Sequence, residues 1–271
     1  MVLDALSFGD LVHRTLDAAL KRLEGEGGLA GANEAQVRTC VQAALETEAA
    51  IWESEQPVPP RTIWQMTLAD VEKLAVRALT YEGIGAAGTK AFGEVAFGGA
   101  EPNSETELPW DPSRLVEIPG TGMIIRGSID RLDLASDGSS ALIRDYKTGK
   151  APKDQIVING GKELQRCLYG FAVKALLGDQ VSIRASLLYL REDINLELED
   201  PDGTLADLTE YLRAATENLA AGQAIFGKDA GNEFDDLAFA LPAMARASYC
   251  VRKHSAALEC LGRAVEIWEA P

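Results

Sequence analysis

No stretch of the 271-residue chain approaches the roughly eighteen consecutive apolar residues that cross a bilayer, and the opening MVLDALSFGDLVHRTL carries charge where a secretory leader needs an apolar core. A membrane anchor and secretion are therefore not expected, and a soluble cytoplasmic protein is. Cysteine is scarce: Cys40, Cys167, Cys250 and Cys260 lie far apart, with neither CxxC spacing nor a disulfide framework, so reduced thiols are expected. Only two histidines occur, and positive charge is in deficit, 26 Lys and Arg against 42 Asp and Glu, for a net charge of −16. Taken alone, that balance argues against a nucleic-acid partner, because phosphate binding normally needs a basic face. No internal repeat or low-complexity linker breaks the sequence, so residues 1–271 read as a single domain with helical elaborations at both ends.

A hydrophobic content of 46% is enough for one large core. Near the N-terminus, Phe8, Leu11, Val12, Thr15, Leu16, Ala19, Leu20 and Leu23 recur at helical spacing, with Ser7 and Asp10 as an expected capping box. After GEGGLAGAN a second helix is expected through Val37, Cys40, Val41, Ala44, Leu45, Ile51 and Trp52, ending at EQPVPPR, and a third over about Thr62–Tyr81. Residues 1–90 are thus a helical part. Strands follow at Ala91–Phe97, Gly122–Ala135, Ala141–Tyr146 and Val181–Leu190, with SDGSS as a hairpin turn, and together imply a mixed sheet within residues 91–190. Leu164, Cys167, Leu168, Phe171, Ala172, Ala175 and Leu176 form the apolar stripe of a helix packed on that sheet, stopped at Gly178. Residues 191–271 read as mostly helical, beginning with a helix over about Leu205–Ala221. The fold class is α/β, a central mixed sheet flanked by helices.

The charge is unevenly placed. Thr121–Gly170 holds eight basic residues (Arg126, Arg131, Arg144, Lys147, Lys150, Lys153, Lys162, Arg166) against six acids (Asp130, Asp133, Asp137, Asp145, Asp154, Glu163), a balance of +2, so the remainder carries −18. In MIIRGSIDRLD, alternation puts Arg126, Ser128, Asp130 and Leu132 on one face, and Asp145 and Lys147 share a face of the next strand. Paired as a hairpin, these strands bring Asp130 and Asp145 together. Two adjacent carboxylates repel, and such a pair persists where a proton is shared or a divalent cation lies between them. Lys147 beside them offers a positive charge for a developing oxyanion or for orienting a water. Oxygen ligands without a cysteine pair favour Mg²⁺ or Mn²⁺ over zinc. A solvated, chemically idle hairpin face is the competing reading.

GSIDRLD, followed by IRDYKTGK and ELQRCLYGFAVKAL, resembles the nuclease domain of the RecB and AddB helicase-nucleases, within the PD-(D/E)xK nuclease superfamily; the similar segments run from His13 to Tyr169. The resemblance implies a restriction-endonuclease-like fold and hydrolysis of DNA phosphodiesters, as an exonuclease of DNA repair and recombination. It implies that Asp130 and Asp145 are metal ligands, that the backbone carbonyl of Tyr146 adds another, and that Lys147 is the superfamily lysine. FGDLVHRTLDAAL is similar to the family's N-terminal helix, whose histidine joins the metal site, which nominates His13. GEVAF resembles the strand supplying a further acid, Glu94, and Gln165 and Tyr169 match the family's Q-x-x-x-Y.

Some relatives carry an iron–sulfur cluster held by one cysteine before the domain and three after it. Here only Cys250 and Cys260 lie toward the C-terminus and none precedes His13, so no cluster is expected. GIGAAGTK approaches a P-loop but lacks the Gly-Lys-Ser/Thr order, so no helicase motif is present. The expected partners are DNA and a helicase or other DNA-delivering region or subunit. Two alternatives stand beside the nuclease: a catalytically silent nuclease-fold domain that binds DNA or scaffolds a partner, and a metal-free interaction domain.

Overall fold

The computed structural model describes residues 2–84, 88–102, 108–153, 157–158 and 163–222. The chain divides into two compact units, Met1–Tyr211 and Leu212–Pro271. Of the second, the described part is the end of one helix and the turn after it. The helices expected in the last fifty residues, together with Cys250 and Cys260, lie outside the described residues.

Three helices open the first unit: α1 (Ala5–Gly25), α2 (Glu34–Glu55) and α3 (Arg61–Thr80). The stripe expected for α1 is its buried face, Leu11, Val12, Thr15, Leu16, Ala19, Leu20 and Leu23. Its cap differs from expectation. Asp4, in extended conformation, accepts from the Ser7 backbone N–H and hydroxyl (2.9 Å each), so Ser7 sits inside the first turn and no Ser7–Asp10 box forms. In α2 a capping box does form, between Asn33 and Gln36. Ile51, expected in the core, is 36% exposed, and Ala49 and Trp52 fill the inward positions of that turn. The three helices share one core with Tyr146 and Leu188 of the sheet and with Leu190, which follows Tyr189.

The main sheet has five strands in the order β1 (Lys90–Phe97), β4 (Gly127–Leu134), β5 (Ser140–Lys147), β6 (Ser182–Tyr189), β7 (Ile194–Glu197). All neighbours are antiparallel except β5 and β6, which are parallel. A parallel pair needs a crossover, here made by α4 (Gln165–Leu177), which packs on both strands. The mixed α/β sheet flanked by helices is therefore as expected. The stripe of α4 is shifted: Arg166, Gly170 and Val173 are buried, whereas Leu168 and Ala175 are only partly so. Gly178 ends the helix at φ 114°, a conformation that favours glycine.

The strand expected over Gly122–Ala135 is two. Ile124–Ile125 (β3) pairs with Val116–Glu117 (β2) in a separate small sheet, and β4 begins after Arg126. The end of β1 crosses here so closely that a Cβ on Gly98 would lie 2.1 Å from the Ile125 carbonyl oxygen. Strand β7 was hidden in an acidic stretch; its Glu197 is paired with Arg184 of β6 (2.6 Å). Helix α5 (Pro201–Ala220) begins four residues earlier than expected and buries Leu205 and Leu208.

Alternation along β4 and β5 divides the charges between the two sheet faces. Arg131 forms a buried bidentate pair with Asp133 (2.7 Å for both bonds) and donates to the Ala78 carbonyl of α3, while Arg144 donates to the Glu82 carbonyl and lies over the Tyr81 ring. These residues and Tyr146 face α1–α3. The residues between them, Asp130, Asp145 and Lys147, belong to the face that carries α4.

Candidate active site

His13 sits one position off the buried stripe of α1, with about a quarter of its side chain exposed. Its Nε2 donates to the backbone carbonyl of Tyr146 (3.1 Å), which turns Nδ1 toward two acids, 3.5 Å from Asp130 Oδ2 and 3.7 Å from Glu94 Oε1. A metal-ligating histidine usually donates its second ring N–H to a carbonyl in this way, fixing the tautomer. Tyr146, expected to offer that carbonyl to a cation, thus uses one lone pair on His13.

Glu94 lies on β1 at φ 44°, left-handed backbone that non-glycine residues seldom adopt, between the paired positions Gly93 and Val95. The departure interrupts the ladder and coincides with the Glu94 contacts to His13 and to Ser128, whose hydroxyl donates to Glu94 Oε2 (3.0 Å). Ser128 is nominated by no motif; alternation alone places it on the Asp130 face.

Asp130 accepts from the Tyr146 backbone N–H (2.7 Å) across the β4–β5 pair. The register runs through Arg131↔Arg144, so the next facing pair is Asp130 and Asp145, as the hairpin argument anticipated. Burial, and after it the Asp145 charge, pushes the Asp130 carboxyl up to about 7. Burial also raises Asp145, against the pull of Lys147, whose Nζ is 2.7 Å from Asp145 Oδ2. For His13, burial works against the proton, but Glu94 and Asp130 outweigh it and raise the imidazole to about 9.

Lys147 Nζ also donates to Gln165 Oε1 (2.6 Å), and Gln165 Nε2 to the Tyr169 hydroxyl (3.5 Å). Tyr169 packs edge-on against Phe97. Burial, then the charges of Asp130 and Asp145, keeps its phenol protonated well above the usual range. All seven candidate side chains from the sequence thus meet in one neighbourhood, drawn from α1, β1, β4, β5 and α4.

Ligand atoms of His13, Glu94 and Asp130 all lie within 4.8 Å of one another, so this group could hold a metal ion. One nitrogen and several carboxylate oxygens, with the Asp130 carboxyl held above its ordinary range by burial and then by a neighbouring acid, fit a hard divalent cation. The residues open onto a groove of about 1000 Å³, whose walls include Arg14, Asp17, Lys21 and Glu48. Its cations are already engaged: Arg14 with Glu48 and Lys21 with Asp17.

Part of the basic stretch expected to attract phosphates is not available to do so. Arg131, Arg144 and Arg166 are buried: Arg131 is held by Asp133, Arg166 by Glu163 and the Leu196 carbonyl, and Arg144 donates from Nη2 to the Glu82 carbonyl. Lys150 and Lys153 are exposed; Lys162 lies outside the described residues, as does the middle of GIGAAGTK. No described helix is long and apolar enough to cross a membrane.

Comparison with curated proteins gives no match. A family model does match, that of the PD-(D/E)XK nuclease superfamily, over residues 2–250, and nucleases of that superfamily use divalent metals. A match over nearly the whole length, on a mixed sheet flanked by helices, means that this chain belongs to the PD-(D/E)XK nuclease superfamily.

Proposed function

We propose that the chain is a divalent-metal-dependent deoxyribonuclease of RecB/AddB type, an exonuclease serving DNA repair or recombination. The observation that carries this reading is that His13, Glu94, Asp130 and Lys147 line one groove, with the buried Asp145 carboxylate 2.7 Å from Lys147 Nζ. In it His13, Asp130 and Asp145 would hold Mg²⁺ or Mn²⁺, with the Tyr146 carbonyl as a further ligand and Glu94 as the acid that steadies His13 or would assist a second ion. When bound, the cation supplies Lewis-acid polarisation of the phosphate and a more acidic water.

The chain's own groups do the rest. Asp145 and Gln165 hold the Lys147 ammonium between them, placed to orient the attacking water and to meet the negative charge that grows on the phosphate. Tyr169 backs Gln165, so the lysine is held before substrate arrives. With the nearby cations of the groove paired internally and a net charge of −16, the chain attracts DNA weakly, and a helicase or another DNA-binding region or subunit delivers the strand.

Incubation with end-labelled linear and with closed circular DNA, single- and double-stranded, in Mg²⁺ and in Mn²⁺ tests this. The reading expects cleavage of linear DNA that stops with EDTA and is lost in Asp130→Ala and Asp145→Ala. Cleavage of closed circles would replace the exonuclease assignment with an endonuclease. No metal-dependent cleavage of any substrate would favour a silent DNA-binding or scaffold domain.

A further inference from the structure

The end of β5 carries the Tyr146 carbonyl and Lys147, and the chain then leaves the sheet through Thr148–Ala151. What fixes that exit is the turn between β6 and β7. The Leu190 N–H donates to the Lys147 carbonyl (2.9 Å), Arg191 Nε to the Thr148 carbonyl (3.0 Å), and the Ala151 N–H to Glu192 Oε2 (2.9 Å). The turn is itself anchored from α3, where Arg77 Nη1 donates to the Leu190 and Arg191 carbonyls (2.6 and 3.2 Å). Arg191 does one thing more. Its guanidinium lies over the ring of Phe8, 4.7 Å from the centroid, and Phe8 is five residues before His13 on α1. Thr148 and Gly149 line both the catalytic groove and the neighbouring cleft, of about 510 Å³, in which Phe8 and Arg191 sit. A Cβ on Gly9 would stand 3.4 Å from the Thr148 hydroxyl, so helix and loop are already in close approach.

We propose that Arg191 is a positioning residue: by bridging the Thr148 carbonyl and the Phe8 ring it clamps the strand end bearing Tyr146 and Lys147 against the helix bearing His13. The catalytic consequence rests on the nuclease reading; the clamp itself does not. The planar guanidinium suits both halves of the bridge, one N–H directed at a carbonyl and a flat face on the aromatic ring. Since Arg191 is exposed and its contacts are few, removing it leaves the core intact while freeing the loop.

The test compares Arg191→Ala and Arg191→Lys with wild type, with Arg184→Ala as control, because Arg184 makes an exposed ion pair on β6 with Glu197. Hydrogen exchange reads the clamp without catalysis: the Leu190 and Ala151 amides should exchange roughly tenfold faster in Arg191→Ala than in wild type or control, with the melting temperature moving by no more than about 2–4 °C. In cleavage assays kcat should fall about 10–10²-fold with KM nearly unchanged, the order expected when a reacting group is misplaced by about 1 Å. Arg191→Lys, which keeps a donor and a cation over Phe8, should recover much of both. Unchanged exchange at Leu190 and Ala151 would overturn the clamp. Faster exchange with kcat within twofold of wild type, or a loss confined to KM, would overturn the positioning role, the latter by making Arg191 a substrate contact. Absence of cleavage by wild type would sink the nuclease reading and leave the exchange result to decide the clamp.

Discussion

Replacing Asp130 by Asn keeps the shape of the side chain and an oxygen to accept from the Tyr146 N–H, but removes a charge that the metal-free fold carries at a cost. Burial and the Asp145 charge raise this carboxyl from 3.8 to about 7. A group raised on folding takes nothing from stability below its unfolded value, near pH 4; the penalty grows as pH rises toward 7 and then levels off. The gap between the two values corresponds to ~4 kcal/mol. That is an upper bound, since Asp130 also helps His13 keep its proton, and the substitution gives up that attraction. A net gain of about 1–3 kcal/mol is expected in EDTA at pH 8, or about 2–10 °C in melting temperature at this chain length. Thermal melts of wild type and Asp130→Asn between pH 4 and 8 should diverge as pH rises, the variant melting higher. A variant that is less stable than wild type at pH 8, or a difference independent of pH, would refute the electrostatic account of the site.

Three further outcomes are expected. Lys147→Ala should leave the carboxylates in place, so that Mn²⁺ still raises the melting temperature while turnover falls ~10²-fold or more, read in single-turnover cleavage; near-normal turnover would make the lysine structural. Asp133→Ala should cost about 3–5 kcal/mol in urea denaturation, because it leaves the Arg131 guanidinium buried without its partner, whereas a loss under 1 kcal/mol would contradict that burial. DNA binding measured in Ca²⁺ should be weak, with a salt dependence of only about two to four phosphate contacts; nanomolar affinity with a steep slope would contradict dependence on a delivering partner.

What the sequence shows of this protein follows periodicity. The buried face of α1 and the shared face of Asp130, Asp145 and Lys147 are consequences of 3.6- and 2-residue repeats, and the hairpin turn at SDGSS sets the register that makes the two acids neighbours. His13, Glu94, Gln165 and Tyr169 are nominated by resemblance; the contact that brings His13 to the Tyr146 carbonyl spans 133 residues, beyond the reach of any local pattern. Other features depend on partners that no local pattern names. Ser7 and Asp10 make a plausible box, but Asp4 reaches the same N–H group one turn earlier. The break at Arg126 is set by the approach of Gly98, and the left-handed backbone at Glu94 has no local cue in GEVAF. Arg166 looks like a surface charge until Glu163 and the Leu196 carbonyl are placed around it, and Arg191 stood within an acidic stretch that concealed both a turn and a strand.

In the proposed nuclease, His13, Asp130 and Asp145 together hold one catalytic divalent cation. Titration of Mn²⁺ into metal-free protein, followed by electron paramagnetic resonance of the free ion, tests it most directly. Wild type should take up at least one equivalent, and His13→Ala, Asp130→Ala and Asp145→Ala should each lose that uptake in parallel with cleavage while remaining folded. Uptake by all three variants equal to that of wild type, or cleavage that persists without it, would contradict the account.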